Sequence, residues 1–130
     1  MTPKNNLAPV HERTLSFRHS RARLHVYVWP NRETMWRAAK AEGYETRTAR
    51  AVVIHKKTGK RVHNRATVHF SRRCIGTEVV CHESVHAANW LLASSPRARR
   101  FKDADETLAF WTGQIASAIV SEFYRDGLYE

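Results

Sequence analysis

The pentapeptide His82-Glu83-Ser84-Val85-His86 can bring its polar side chains together on one backbone, the α-helix. On a helix, positions i and i+4 lie one above the other on a single face. Two imidazoles at that spacing can bind one Zn²⁺. The glutamate between them then stands beside the metal, where it can take a proton from metal-bound water. The flanking residues agree with a helix. Gly76-Thr77-Glu78 reads as its start, with Thr77 as N-cap and Glu78 favoured in the first turn. Cys81, Val85, Ala88 and Leu92 make an apolar stripe at helical spacing, and Ser94-Ser95-Pro96 ends it. The plainer alternative is an amphipathic helix that carries His and Glu without a metal.

Catalytic zinc sites typically use three protein ligands and leave one position for water. No histidine follows His86, so the third ligand is an upstream His or a downstream carboxylate: Asp103, Asp105, Glu106, Glu122, Asp126 or Glu130. Glu106 is the favoured candidate. It begins a second helical pattern, Glu106 to about Tyr124, whose apolar surface comes from Leu108, Phe110, Trp111, Ile115, Ile119 and Phe123. An antiparallel packing of that helix on the first could point Glu106 at the two histidines, and Gly113 would permit close approach. Asp103-Ala104-Asp105-Glu106 also fits a capping box, with Asp103 as N-cap. Glu122, more than four turns along, is the reserve.

His82-Glu83-x-x-His86 followed by Glu106 resembles the gluzincin class of zinc metallopeptidases. The 19 residues between His86 and Glu106 look like the interval in thermolysin-like members. The chain length is similar to that of minimal, single-domain gluzincins and of small H-E-x-x-H proteins from phage genomes. The resemblance covers roughly residues 66–124 and implies His82, His86 and Glu106 as zinc ligands with Glu83 as general base. It also implies that an edge strand just before the zinc helix, that of residues 61–70, lines the cleft and can hold an extended peptide by strand addition. Thermolysin-like members place an Asn before the ligand Glu and an Asp four residues after it. Here those places hold Asp105 and Phe110, so a ligand-orienting carboxylate is missing or comes from elsewhere.

A chain of 130 residues with 42% hydrophobic content and four Trp suits one small domain, 13–130, behind a flexible tail, 1–12. Leu24-His25-Val26-Tyr27-Val28-Trp29 alternates as a strand, and Thr14-Leu15-Ser16-Phe17 can form a short one before it. Pro30 and Asn31 lead into a helix from Arg32 to Glu42, with Gly43 as its stop. Ala49 to Lys56 and Arg61 to Phe70 form a hairpin about Thr58-Gly59-Lys60. The expected fold is α+β in the order β-α-β-β-α-α: a three-stranded antiparallel or mixed sheet, zincin-like, packed on the active-site helix and a C-terminal helix. His55, His63 and His69 could each face the site or the surface.

The N-terminus has no apolar signal region, and no apolar run is long enough to cross a bilayer. Cys74 and Cys81 are not spaced as a metal knuckle or disulfide framework, so a cytoplasmic setting is expected, that of a host cell if the chain is phage-encoded. Cys81 reads as a buried thiol. The formal net charge of +10 favours acidic partners, nucleic acid or acidic protein, although no finger or helix-turn-helix signature accompanies it. The expected activity is zinc-dependent hydrolysis of peptide bonds by an endopeptidase, with Glu83 activating the zinc-bound water and Tyr124 or Tyr129 as candidate oxyanion donors. The competing expectation is a basic, nucleic-acid-associated or host-interaction protein of zincin-like fold with a structural or vestigial metal site.

Overall fold

The structure, a computed structural model, describes residues 8–18 and 20–129. Its elements run β1 (His11–Ser16), β2 (Arg23–Trp29), α1 (Arg32–Ala41), β3 (Ala51–Thr58), β4 (Arg61–Ser71), α2 (Thr77–Ser94), a 3₁₀ turn (Pro96–Ala98) and α3 (Ala104–Arg125). The α+β class is as expected. The sheet has four strands rather than three, in the order β1-β2-β4-β3. β2 and β4 are parallel, and both outer pairs are antiparallel. The added strand is β1. It begins at His11, inside the stretch read as a tail, while residues 1–7 lie outside the described ones. Its alternation is hard to read because His11 and Arg13 share the inward face with Leu15, so the pairing to β2 is held largely by backbone hydrogen bonds.

Strand alternation sorts the core into two sides. Leu24, Val26 and Val28 pair in register with Ala66, Val68 and Phe70, and all six are buried against α2 and α3. Phe70 meets Phe123 of α3 edge-on at 5.5 Å. On the opposite face Trp29 packs on Met35 and Ala38 of α1, and Val52 and Ile54 pack on Ala39. α1 is held at its start by a reciprocal capping box between Asn31 and Thr34. The hairpin turn falls where expected, with Gly59 at φ 62°.

α2 and α3 run antiparallel. The Trp111 indole donates to the Ala98 carbonyl, and at the other end the Tyr129 hydroxyl donates to the Ile75 carbonyl. The buried arc of α2 differs from the expected stripe. Val79, Val80, Glu83, Ser84, Ala87, Ala88, Trp90 and Leu91 are buried, while Cys81 is exposed and Val85 is 39% exposed. The helix lies between sheet and α3, so small residues set the contact. Ser84, for example, is fully buried with its hydroxyl donating to the Val80 carbonyl. Thr77 is the first helical residue and Gly76 the N-cap, without a side-chain cap. Gly113 is not at a helix crossing, since a Cβ added there would meet nothing within 4 Å.

Candidate metal-binding cleft

The strand just before α2, β4, is not the expected edge strand but is central, paired on both sides. β3 is the edge strand instead, and its Ala51, Val53 and His55 alternate toward the side on which α2 lies. α2 runs alongside it in the same direction. Arg50 pairs with Glu78 at 3.3 Å near the start, and the Trp90 indole donates to the His63 carbonyl near the end. Between strand and helix lies a groove of about 740 Å³. Glu78, His82, Glu83, His86, Asn89 and Trp90 line its helical wall, and Tyr44, Arg50, Val53 and His55 line the other.

The H-E-x-x-H side chains come together as the helical spacing demands. The His82 and His86 rings are 5.0 Å apart between centroids. His82 Nε2 is 4.0 Å from Glu83 Oε2. Both histidines are exposed to the groove, whereas Glu83 is 7% exposed. Burial pushes the Glu83 carboxyl above the usual carboxylate range, and the neighbouring His82 and His86 offset part of that rise.

Glu106 is not brought to the two histidines. α2 continues past His86 to Ser94, about 12 Å further at 1.5 Å per residue. The antiparallel α3 then begins at Ala104, which leaves Glu106 exposed in its first turn beside the far end of α2. There its backbone N–H donates to Asp103, which caps the helix as expected, while no return bond from the Glu106 side chain completes a capping box. His55, left open by the sequence, lines the groove.

His69 lies on the opposite face of the sheet and is 2% exposed. The Trp29 indole donates to its Nδ1 at 2.9 Å, and its Nε2 is 2.5 Å from Glu42, which also accepts from Thr67. An indole can only donate, so Nδ1 accepts and Nε2 carries the proton facing Glu42. His63 is exposed and bonded to Thr58. Tyr129 is occupied by the Ile75 carbonyl, and Tyr124 packs on Tyr129. Tyr44 and Asn89 line the groove instead. Sequence reasoning missed both: Tyr44 reaches the groove only through the way the loop before β3 folds back, whereas Asn89, three residues after His86 on α2, could have been found from helical spacing.

A second cluster forms at the opposite edge of the sheet. His11 of β1, Glu122 of α3 and Asp126, the C-cap of α3, offer ligand atoms that all lie within 4.8 Å of one another, a group that could hold a metal ion. Among the described residues it is the one such group of three. No helix among them is long and apolar enough to cross a membrane. No protein-family model, curated protein or solved structure matches the chain.

Proposed function

We propose that the groove between β3 and α2 is the active site of a zinc-dependent peptidase. One observation carries this reading: His82 and His86 project side by side, with the buried Glu83 between them, into a groove walled by an unpaired strand edge. Both histidines could serve as metal ligands, and His55 lines the same groove whereas Glu106 does not, although the ligand atoms of His55, His82 and His86 do not all lie within 4.8 Å of one another. Zinc there would supply a Lewis acid that polarises a carbonyl and acidifies water.

The chain's own residues divide the remaining work. Glu83 takes a proton from the attacking water and delivers it to the departing amine. The free edge of β3 holds an extended peptide by backbone hydrogen bonds, which favours a peptide over a compact substrate. Tyr44, on the groove wall, is a donor to the developing oxyanion, as is the one Asn89 amide hydrogen that is not given to the Val85 carbonyl. Glu78 and Asn89 lie within one turn of the two histidines and can orient their rings.

The test is hydrolysis of a peptide library by wild type and Glu83→Gln, each loaded with zinc. A loss of about 10²–10⁴-fold with metal retained supports the role of Glu83. Equal hydrolysis by the two proteins, or none by zinc-loaded wild type, overturns it.

A second reading rests on a separate depression of about 580 Å³. Arg21, Arg61 and Arg97 line it, with Ser20, Asn64 and Ser94 among their neighbours and no acidic residue. Three guanidinium groups around one cleft suit phosphate groups, so a nucleic acid is the partner this face would take.

A further inference from the structure

We propose that His11, Glu122 and Asp126 form a metal site of their own, which takes a divalent transition ion such as Zn²⁺ and clips the first strand to the last helix. This inference does not depend on the reading of the groove.

Glu122 lies in the last turn of α3 and Asp126, four residues on, is its C-cap, with its backbone N–H still donating to the Glu122 carbonyl, so the two carboxylates lie close together. β1 brings His11 against them, with Nδ1 2.5 Å from Asp126 Oδ2. That one contact leaves much unsatisfied. His11 is 7% and Glu122 8% exposed. Yet His11 Nε2 and Glu122 Oε1 are buried with no hydrogen-bond partner. The buried, unpartnered Glu122 Oε1 calls for a partner, and an ion that His11 reaches through Nδ1, beside Asp126, supplies one.

The other oxygen of Glu122 is already fixed. Arg125 donates to Oε2 at 2.9 Å, and Arg13 lies 3.6 Å from it. Two guanidinium groups on one oxygen hold the carboxylate in place and leave Oε1 as the free donor. Ligating carboxylates are commonly oriented in this way by a second set of hydrogen bonds. One imidazole and two carboxylates suit zinc and its first-row neighbours better than calcium or magnesium, which prefer oxygen alone. Metal–donor bonds of ~2.1 Å put donor atoms roughly 3–3.5 Å apart, so the present 4.8 Å envelope needs shifts of about an ångström.

The location gives the ion a structural task. β1 is an outer strand paired only with β2, and α3 ends at Arg125. An ion shared by His11, Glu122 and Asp126 ties these two elements across most of the chain and stabilises the folded state by mass action.

The experiment uses the full chain carrying His82→Ala and His86→Ala, which removes the pair in the groove. Zinc content after gel filtration and thermal unfolding with and without micromolar Zn²⁺ are then measured, before and after adding Asp126→Asn or His11→Gln. About one zinc per chain and a raised Tm in the double variant are expected. Either added substitution should lower zinc affinity at least tenfold and remove the Tm shift, with the fold checked by circular dichroism. No zinc in the double variant would overturn the proposal, as would zinc retained unchanged in both triple variants. Asp126 is exposed, so its replacement keeps the test valid even if His11→Gln fails to fold.

Discussion

Individual side chains set the chemistry at two places in this molecule, and each answers to a single substitution. At the groove, His55→Ala is expected to weaken zinc binding by tenfold or more, while Glu106→Ala leaves it within a factor of two, as competition with a colorimetric chelator would show. The reverse order would return the third-ligand role to Glu106. On the far face of the sheet, burial alone would raise the Glu42 carboxyl. Hydrogen bonds from His69 and Thr67 outweigh that, followed by weaker attraction from Lys56, and hold it below the usual range. A carboxylate lowered in the folded state lends stability that is fully present above its unfolded value, about 4.3. That stability is lost as pH falls through the lowered folded value. Glu42→Gln should therefore cost about 1–2 kcal/mol at neutral pH and flatten the acid limb of a denaturation-against-pH curve. An unchanged acid limb would remove the Glu42–His69 pair from the stability of the fold.

At the scale of elements, helix ends and burial arcs carry the testable content. Asn31 caps α1 through its side chain, and Asn31→Ala should cost about 1 kcal/mol in urea unfolding. On α2, Ala88→Leu should cost about 1–3 kcal/mol, because Ala88 is fully enclosed. Val85→Leu should stay within about 0.5 kcal/mol, since Val85 is well exposed. Equal costs would mean that the buried arc is misassigned. These two residues also show what the sequence could tell. The helix itself was legible from its flanks and from the i, i+4 histidines. Its buried side was not, because the stripe sought was the most apolar row, whereas a helix wedged between a sheet and another helix buries Ser84, Ala87 and Ala88 instead. β2, α1 and the hairpin were legible from alternation, the Asn31 cap and Gly59. β1 was legible in part, as the short strand at Thr14-Leu15-Ser16-Phe17, while its first half was obscured by the polar residues on its inward face.

For the molecule as a whole, the two proposed sites lie at opposite edges of the sheet, on the face that carries α2 and α3. The groove lies at the β3 edge and the His11 cluster at the β1 edge. The pentapeptide pointed to the first because its ligands are local. The second joins the first strand to the end of the last helix, and no local pattern in the sequence marks such a pairing. Glu106 stands outside the groove for a related reason, since ligand spacing along the chain says nothing of how far α2 continues beyond His86. The net charge of +10 bears on the basic depression. If nucleic acid binds there, each of Arg21→Ala, Arg61→Ala and Arg97→Ala should reduce the salt dependence of binding by about one unit of slope in log K against log salt. Unchanged slopes would assign the charge to solubility.

The most direct test of the groove is an anomalous-scattering map, recorded at the zinc edge from crystals grown with Zn²⁺. The expected result is a peak about 2.1 Å from a ring nitrogen of both His82 and His86, with His55 reaching the same ion. A map with no peak between those two rings, at a zinc concentration that saturates the protein in solution, would contradict the metal centre and the peptidase reading with it.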